Sequence, residues 1–138
     1  MRDASYKAML EVLKSHRSGE RVLVAAATDS SALGVLRAAR ELGCEADLAI
    51  AGQDCIPEAL EEMRSGNSAL VGSVSHEVET YGPRLIQLGI ALLRGNIVPP
   101  YNYVPHRGVT PETLAAEASM GAGRQVIRLE PEIETETA

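Results

Sequence analysis

The feature that most constrains this chain is a triple alternation between Val22 and His76. Three short apolar runs, Val22–Ala26, Leu48–Ala51 and the one opening at Leu70, are separated by stretches of helical periodicity, and each ends in small polar residues. Those ends read Ala27-Thr28-Asp29, Gly52-Gln53-Asp54 and Ser73-Val74-Ser75-His76. Apolar runs of this length without polar alternation suit strands of a parallel sheet covered on both faces. The order α-β-α-β-α-β predicts an α/β fold with a Rossmann-like, doubly wound parallel sheet. Sheets of that kind hold ligands just outside the carboxyl ends of their strands. Strand ends carrying Asp29, Asp54 and His76 therefore describe one wall of a polar ligand site.

Composition narrows what that wall can serve. With 138 residues, 45% of them hydrophobic and 23% charged, the chain has material for one globular domain with a core. Its aromatic residues are four Tyr, with no Phe and no Trp, which is a poor basis for stacking bases or sugars. A net charge of -6 argues against direct nucleic-acid contact, which would call for a basic patch. Glu130, Glu132, Glu134 and Glu136 lie in the last nine residues, so the remainder is nearer neutral. Cys44 and Cys55 form no CxxC pair and read as two half-buried free thiols. No apolar run approaches the ~20 residues that a membrane span requires. Met1-Arg2-Asp3 leads straight into an amphipathic helix, so the chain as written is expected in the cytoplasm, without membrane insertion.

Taken in order, Asp3 reads as a helix cap, followed by Tyr6, Met9, Leu10 and Leu13 at helical spacing, with Ser18-Gly19 as the stop. Val22–Ala26 is then a central strand. Asp29 or Ser30 caps a second helix that turns Ala32, Val35, Leu36, Ala39 and Leu42 inward and ends at Gly43, the place for a left-handed C-cap. Gly34 inside that helix predicts close packing of helix on sheet, since glycine there costs about 1 kcal/mol relative to alanine. Ala46–Ala51 and Ala69–Ser75 are the next strands, with a helix over Pro57–Arg64 between them. Beyond His76, Val78, Tyr81, Leu85, Leu88 and Leu92 share one helical face, provided the helix begins near Thr80 so that Pro83 falls in its first turn. Tyr101–Val104 reads as an edge strand, and Thr110-Pro111 opens a last helix to about Ala118. The end, from Gly121, is expected to be disordered.

At this level the residues resemble a known family. Thr28-Asp29-Ser30-Ser31-Ala32-Leu33-Gly34 with Leu36-Arg37-Ala38-Ala39 is similar to the "ND-x-x-ALG-x-LRA" helix start of type I periplasmic sugar-binding proteins and of lactose-repressor-type effector domains. Ile50-Ala51-Gly52-Gln53-Asp54-Cys55-Ile56-Pro57 resembles their "VVGFDGIP" strand end. Val71-Gly72-Ser73-Val74-Ser75-His76, Tyr81-Gly82, Leu92-Leu93-Arg94-Gly95 and Pro111-Glu112-Thr113-Leu114 continue the likeness in order, from about residue 5 to 116.

The resemblance implies the later part of a two-lobed, sugar-clamping fold, with the N-terminal lobe missing. Residues 1–76 would be the truncated C-terminal-lobe core, 77–118 a hinge-crossing helix, strand and short helix, and 119–138 a tail. It further implies that Asp54 accepts hydrogen bonds from sugar hydroxyls, with Thr28, Asp29 and His76 as the other ligand contacts. Gln53 stands where the family has Phe, Thr28 where it has Asn and Cys55 where it has Gly, so the sugar is left open. The expected function is a non-catalytic carbohydrate-binding module of a sugar transporter, located in the periplasm if it is part of a secreted solute-binding protein. The alternatives are the effector-binding part of a transcription regulator, or an oligomerising fragment that has lost the sugar function. Its partners would be a small-molecule sugar and a second copy of the chain, met through residues 77–104.

Other chemistries find little support in the residues. Ser30, His76 and Asp54 lack the strained G-x-S-x-G turn that presents a nucleophile. Cys44, Cys55, His76 and His106 lack the paired short spacings of a zinc site. Met120-Gly121-Ala122-Gly123 follows no strand and precedes no Lys-Ser/Thr pair, so it is no phosphate loop. No cofactor and no metal are expected, and His16 and His106 read as solvated.

Overall fold

The computed structural model describes residues 1–119. In chain order it contains α1 (Arg2–Leu13), β1 (Val22–Ala25), α2 (Asp29–Glu41), β2 (Leu48–Gln53), α3 (Pro57–Arg64), β3 (Leu70–Ser75), α4 (Tyr81–Leu93), β4 (Arg107–Val109) and α5 (Pro111–Ser119). Short 3-10 turns precede β2 and α4. The sheet order is β1-β2-β3-β4, parallel through the first three strands and antiparallel at β4. The tail beyond residue 119, with its Val126, Ile127 and Leu129 patch, lies outside the described residues.

Why the core lies on one side follows from the strand order. Right-handed crossovers that step in the same direction place α2 and α3 on the same face of the sheet. Burial along β2 agrees: Leu48, Ile50 and Gly52 are buried, whereas Ala49, Ala51 and Gln53 are only half covered. The core beneath the helices joins Leu36, Ile50, Met63 and Leu70 with Val109 and Leu114. Among the described residues, the second helical layer of a doubly wound sheet is not supplied. β1 is an edge strand rather than a central one, and Leu23 on its open face is 81% exposed. Its apolar residues on both faces suit a strand covered twice, and here one cover is present.

α1 packs along α2, and Gly34 is the point of contact. A Cβ at Gly34 would run into the Arg2 carbonyl oxygen and Ser5 Oγ. The glycine therefore serves a helix-on-helix approach, not the helix-on-sheet approach its place in the sequence suggests. Tyr6 Oη donates to Glu41 Oε2 (2.6 Å), and the Arg37 guanidinium lies 4.2 Å from the Tyr6 ring centroid, closing the same seam. Asp3 does not cap α1, whose N-cap is Met1 without a side-chain bond. His16 is not solvated either. Its side chain is 7% exposed and meets Asp47 Oδ2 at 3.0 Å, a bond that, with the Gly19 N–H, holds the Asp47 carboxyl below the usual range.

The end of α2 follows the expected form. Gly43 has φ +68°, its N–H reaches the Arg40 carbonyl and the Cys44 N–H reaches that of Ala39, a Schellman closure. Pro83 falls in the first turn of α4, as its missing N–H demands. Residues 101–104 form no strand. The short strand is Arg107–Val109, which comes after Pro105 and pairs with β3 as Ser73↔Val109 and Ser75↔Arg107. Its position lets the chain that departs at His76 rejoin the sheet it left. α5 then packs on α3 through the buried Leu114, its start held by reciprocal bonds between Thr110 and Thr113.

Candidate functional site

At the carboxyl end of the parallel sheet, the ends of β2 and β3 bring polar side chains together. Gln53 closes β2, in register with Val74 of β3. Its side-chain amide nitrogen lies 2.6 Å from His76 Nε2, within hydrogen-bond distance. Asp54 Oδ1 lies 3.7 Å from the same nitrogen, too far for a hydrogen bond but within reach of an ion pair with a protonated ring. The Asp54 side chain is 40% exposed, so its remaining acceptor sites face outward. The His106 ring stands edge-on to His76, with centroids 4.8 Å apart.

Backbone strain concentrates at this edge. Among the described residues, positive φ at a non-glycine occurs at Asp54 (+105°), Cys55 (+54°) and Glu77 (+48°), all just past strand ends. Such conformations cost on the order of 1–3 kcal/mol each and gather at ligand clamps and switch regions. The Asp54 N–H donates to the Val74 carbonyl (2.9 Å) and the Cys55 N–H to Ser73 Oγ (3.2 Å), so the turn is tied to β3. Burial pushes the Cys55 thiol above its usual range, which leaves it unionised near neutral pH. Glu77, where the chain leaves β3, pairs with Arg107, where it returns, at 3.5 Å.

The four residues expected to meet a ligand are therefore distributed unevenly. Asp54 and His76 stand side by side at the surface. Thr28 lies one strand over and serves as the N-cap of α2, its Oγ1 accepting the Ser31 N–H at 3.2 Å. The cap expected of Asp29 or Ser30 is thus supplied by Thr28. Asp29 is fully buried, with Oδ1 accepting from Ser73 Oγ (2.7 Å) and Oδ2 from the Ile56 N–H (2.9 Å). It stands behind the wall and not on it. Gln53 and His106 are members of the cluster that sequence reasoning left out. For Gln53 the signal was its place directly before Asp54; for His106, thirty residues from His76 in sequence, there was none.

The arrangement sets a carboxylate acceptor, an imidazole and an amide on one open edge, and hydrogen bonds to its charged member are the strong ones. Concavities of about 560 and 400 Å³ lie elsewhere, between α1, α2 and α3 and at the opposite end of the sheet. The strand-end cluster is an open wall, not a closed pocket. Among the described residues no group of three or more His, Cys, Asp and Glu could hold a metal ion, and no helix is long and apolar enough to cross a membrane.

Comparison with known proteins agrees with the architecture. No protein-family model matches the chain, and no curated protein does. Solved structures match well. A periplasmic solute-binding protein of an ABC transporter from Actinobacillus succinogenes, with bound D-allose, is 18% identical over 83% of this chain and 40% of its own, at a TM-score of 0.72. A solute-binding protein from Agrobacterium vitis, with bound allitol, is 22% identical over 86% of this chain and 41% of its own, at 0.76. One from Bacillus halodurans, with bound myo-inositol, is 27% identical over 86% and 39%, at 0.66. These structural neighbours are solute-binding proteins of ABC transporters. The chain has the fold of part of one lobe of the type I periplasmic sugar-binding proteins of ABC transporters, and spans about 40% of the length of those it matches.

Proposed function

We infer that this chain is one wall of a carbohydrate-binding module of the transporter type. The observation that carries the reading is the exposed Asp54 carboxylate, held at φ +105° beside His76 at the end of a parallel sheet. In this reading Asp54 accepts hydroxyl hydrogens from a sugar or polyol, while His76 and Gln53 complete the edge. Thr28 and Asp29 support the wall from the start of α2. Glu61–Gly66 and Leu70–Ser75 resemble the transporter branch more than the regulator branch, which favours a solute binder over an effector domain, and hence a periplasmic setting.

A single wall buries little of a ligand, so affinity of the chain alone is expected to be millimolar rather than micromolar. The test is a titration with D-allose, allitol and myo-inositol followed by amide chemical shifts. Shifts confined to the ends of β2 and β3, abolished in Asp54→Asn, support the reading. Saturable binding that Asp54→Asn leaves intact would overturn it.

A second reading is favoured by α4. None of its residues is buried, although Leu85, Ile86, Ile90, Leu92 and Leu93 are all large and apolar. Full burial of a side chain of this kind is worth roughly 1.5–3 kcal/mol, of which these exposed residues forgo a part. In this reading residues 77–104 pack on a second copy of the chain, by exchange of the segment after His76. Light scattering across a concentration series should then show a dimer that Leu92→Glu disperses. A monomer at every concentration refutes the exchange.

A further inference from the structure

Asp29 is the most deeply buried charged group of the described residues, and capping does not explain it, because Thr28 already caps α2. Burying a carboxylate is costly unless its oxygens are engaged. Both are: Ser73 Oγ donates to Oδ1, and the Ile56 N–H donates to Oδ2. Ser73 Oγ also accepts the Cys55 N–H. The β2 backbone approaches so closely here that a Cβ at Gly52 would fall on Asp29 Oδ1. Every one of these contacts lies within two residues of the Asp54-Cys55 turn, or on the strand beside it. That turn holds two successive non-glycine residues at positive φ. A conformation of this kind persists only where its surroundings over-determine it.

We propose that Asp29 is a positioning residue: through Ser73 and the Ile56 amide it holds the strained Asp54-Cys55 turn in the shape that aims the Asp54 carboxylate outward from the sheet end. The consequence for binding rests on the reading of Asp54 as a ligand contact. The latch itself does not, and it is tested separately. Asp29 touches no ligand; its effect passes through the turn.

Cys55 supplies the probe, since its thiol rides on the turn, while Cys44 lies beyond the end of α2. Timed reaction of the intact chain with a disulfide reagent, resolved by mass spectrometry, reads the two thiols independently. In Ser73→Ala and Asp29→Ala, Cys55 should react about tenfold faster than in the unaltered chain, with Cys44 changed less than about twofold, as local opening predicts. Asp29→Asn should fall between, because the amide oxygen still accepts the Ile56 N–H. Leu13→Ala is the control: it loosens the core far from the turn and should speed both thiols together. If Asp29→Ala fails to fold, Ser73→Ala carries the test, because it removes only a hydroxyl. Thiols that accelerate in parallel in Ser73→Ala, or a Cys55 rate that stays unchanged, would overturn the latch. In a chain that binds sugar, Ser73→Ala should also lose the sugar-induced amide shift at Asp54 while remaining folded. Absence of any sugar shift in the unaltered chain sinks the ligand reading alone, and the thiol rates still decide the latch.

Discussion

α2 and α4 are both 13 residues long, and they have opposite fates. α2 buries seven of its residues, among them Asp29, Ala32 and Leu36. α4 is richer in large apolar side chains and buries none. The difference is one of partners. α2 has the sheet below it and α1 alongside, whereas α4, among the described residues, has no substantial contact beyond the 3-10 turn that precedes it. A helix gains most of its stability in a protein from a face it can bury. An apolar stripe states a demand for a partner; it does not supply one.

The largest effect should separate the two regions outright. Ile50→Ala, in the core under α2, should cost about 2–5 kcal/mol in denaturant unfolding, the range for emptying a packed site. Leu93→Ala in α4, at a position 90% exposed, should stay within about 0.5 kcal/mol. Comparable losses at the two positions would mean that α4 is packed in solution, and so would join it to the dimer reading. A smaller contrast comes from glycines. Gly34→Ala sets a methyl group against α1 backbone and should destabilise by about 1–3 kcal/mol. Gly89→Ala meets open space in α4 and should instead raise the amide protection of that helix by about 0.5–1 kcal/mol. The smallest concerns helix starts. Thr28→Ala removes a side-chain cap and should cost about 1 kcal/mol. Thr80→Ala should cost under about half of that, since the Thr80 hydroxyl bonds back to the Glu77 carbonyl and caps no amide of α4. Equal costs would show the two helix starts to be alike after all.

Much of this was legible in the residues. The strand–helix alternation, the glycine stop at Gly43, Pro57 and Pro83 in first turns, and Thr110-Pro111 opening α5 are all local signals, and the structure follows each. The nearby pair Asp54 and His76 was legible too, because strand ends in a parallel sheet converge. Less legible was anything that depended on which surfaces meet. Gly34 reads the same against a sheet or a helix, and only the docking of α1 distinguishes them. Asp29 resembles any acidic residue at a helix start, while Thr28, one residue earlier, is the cap. Tyr101–Val104 has strand-like composition, yet among the described residues it pairs with nothing, and Arg107–Val109 takes the free edge of β3 instead.

The sequence by itself determined the elements and their order, because helix and strand periodicity, caps and breakers act over a few residues. Tertiary structure alone decided the rest: that one sheet face is covered, that a buried carboxylate stands behind the strained turn, and that His106 meets His76. Those outcomes depend on contacts between residues tens of positions apart. No local pattern encodes which of several apolar faces, or which of several carboxylates, will be enclosed when the chain closes on itself.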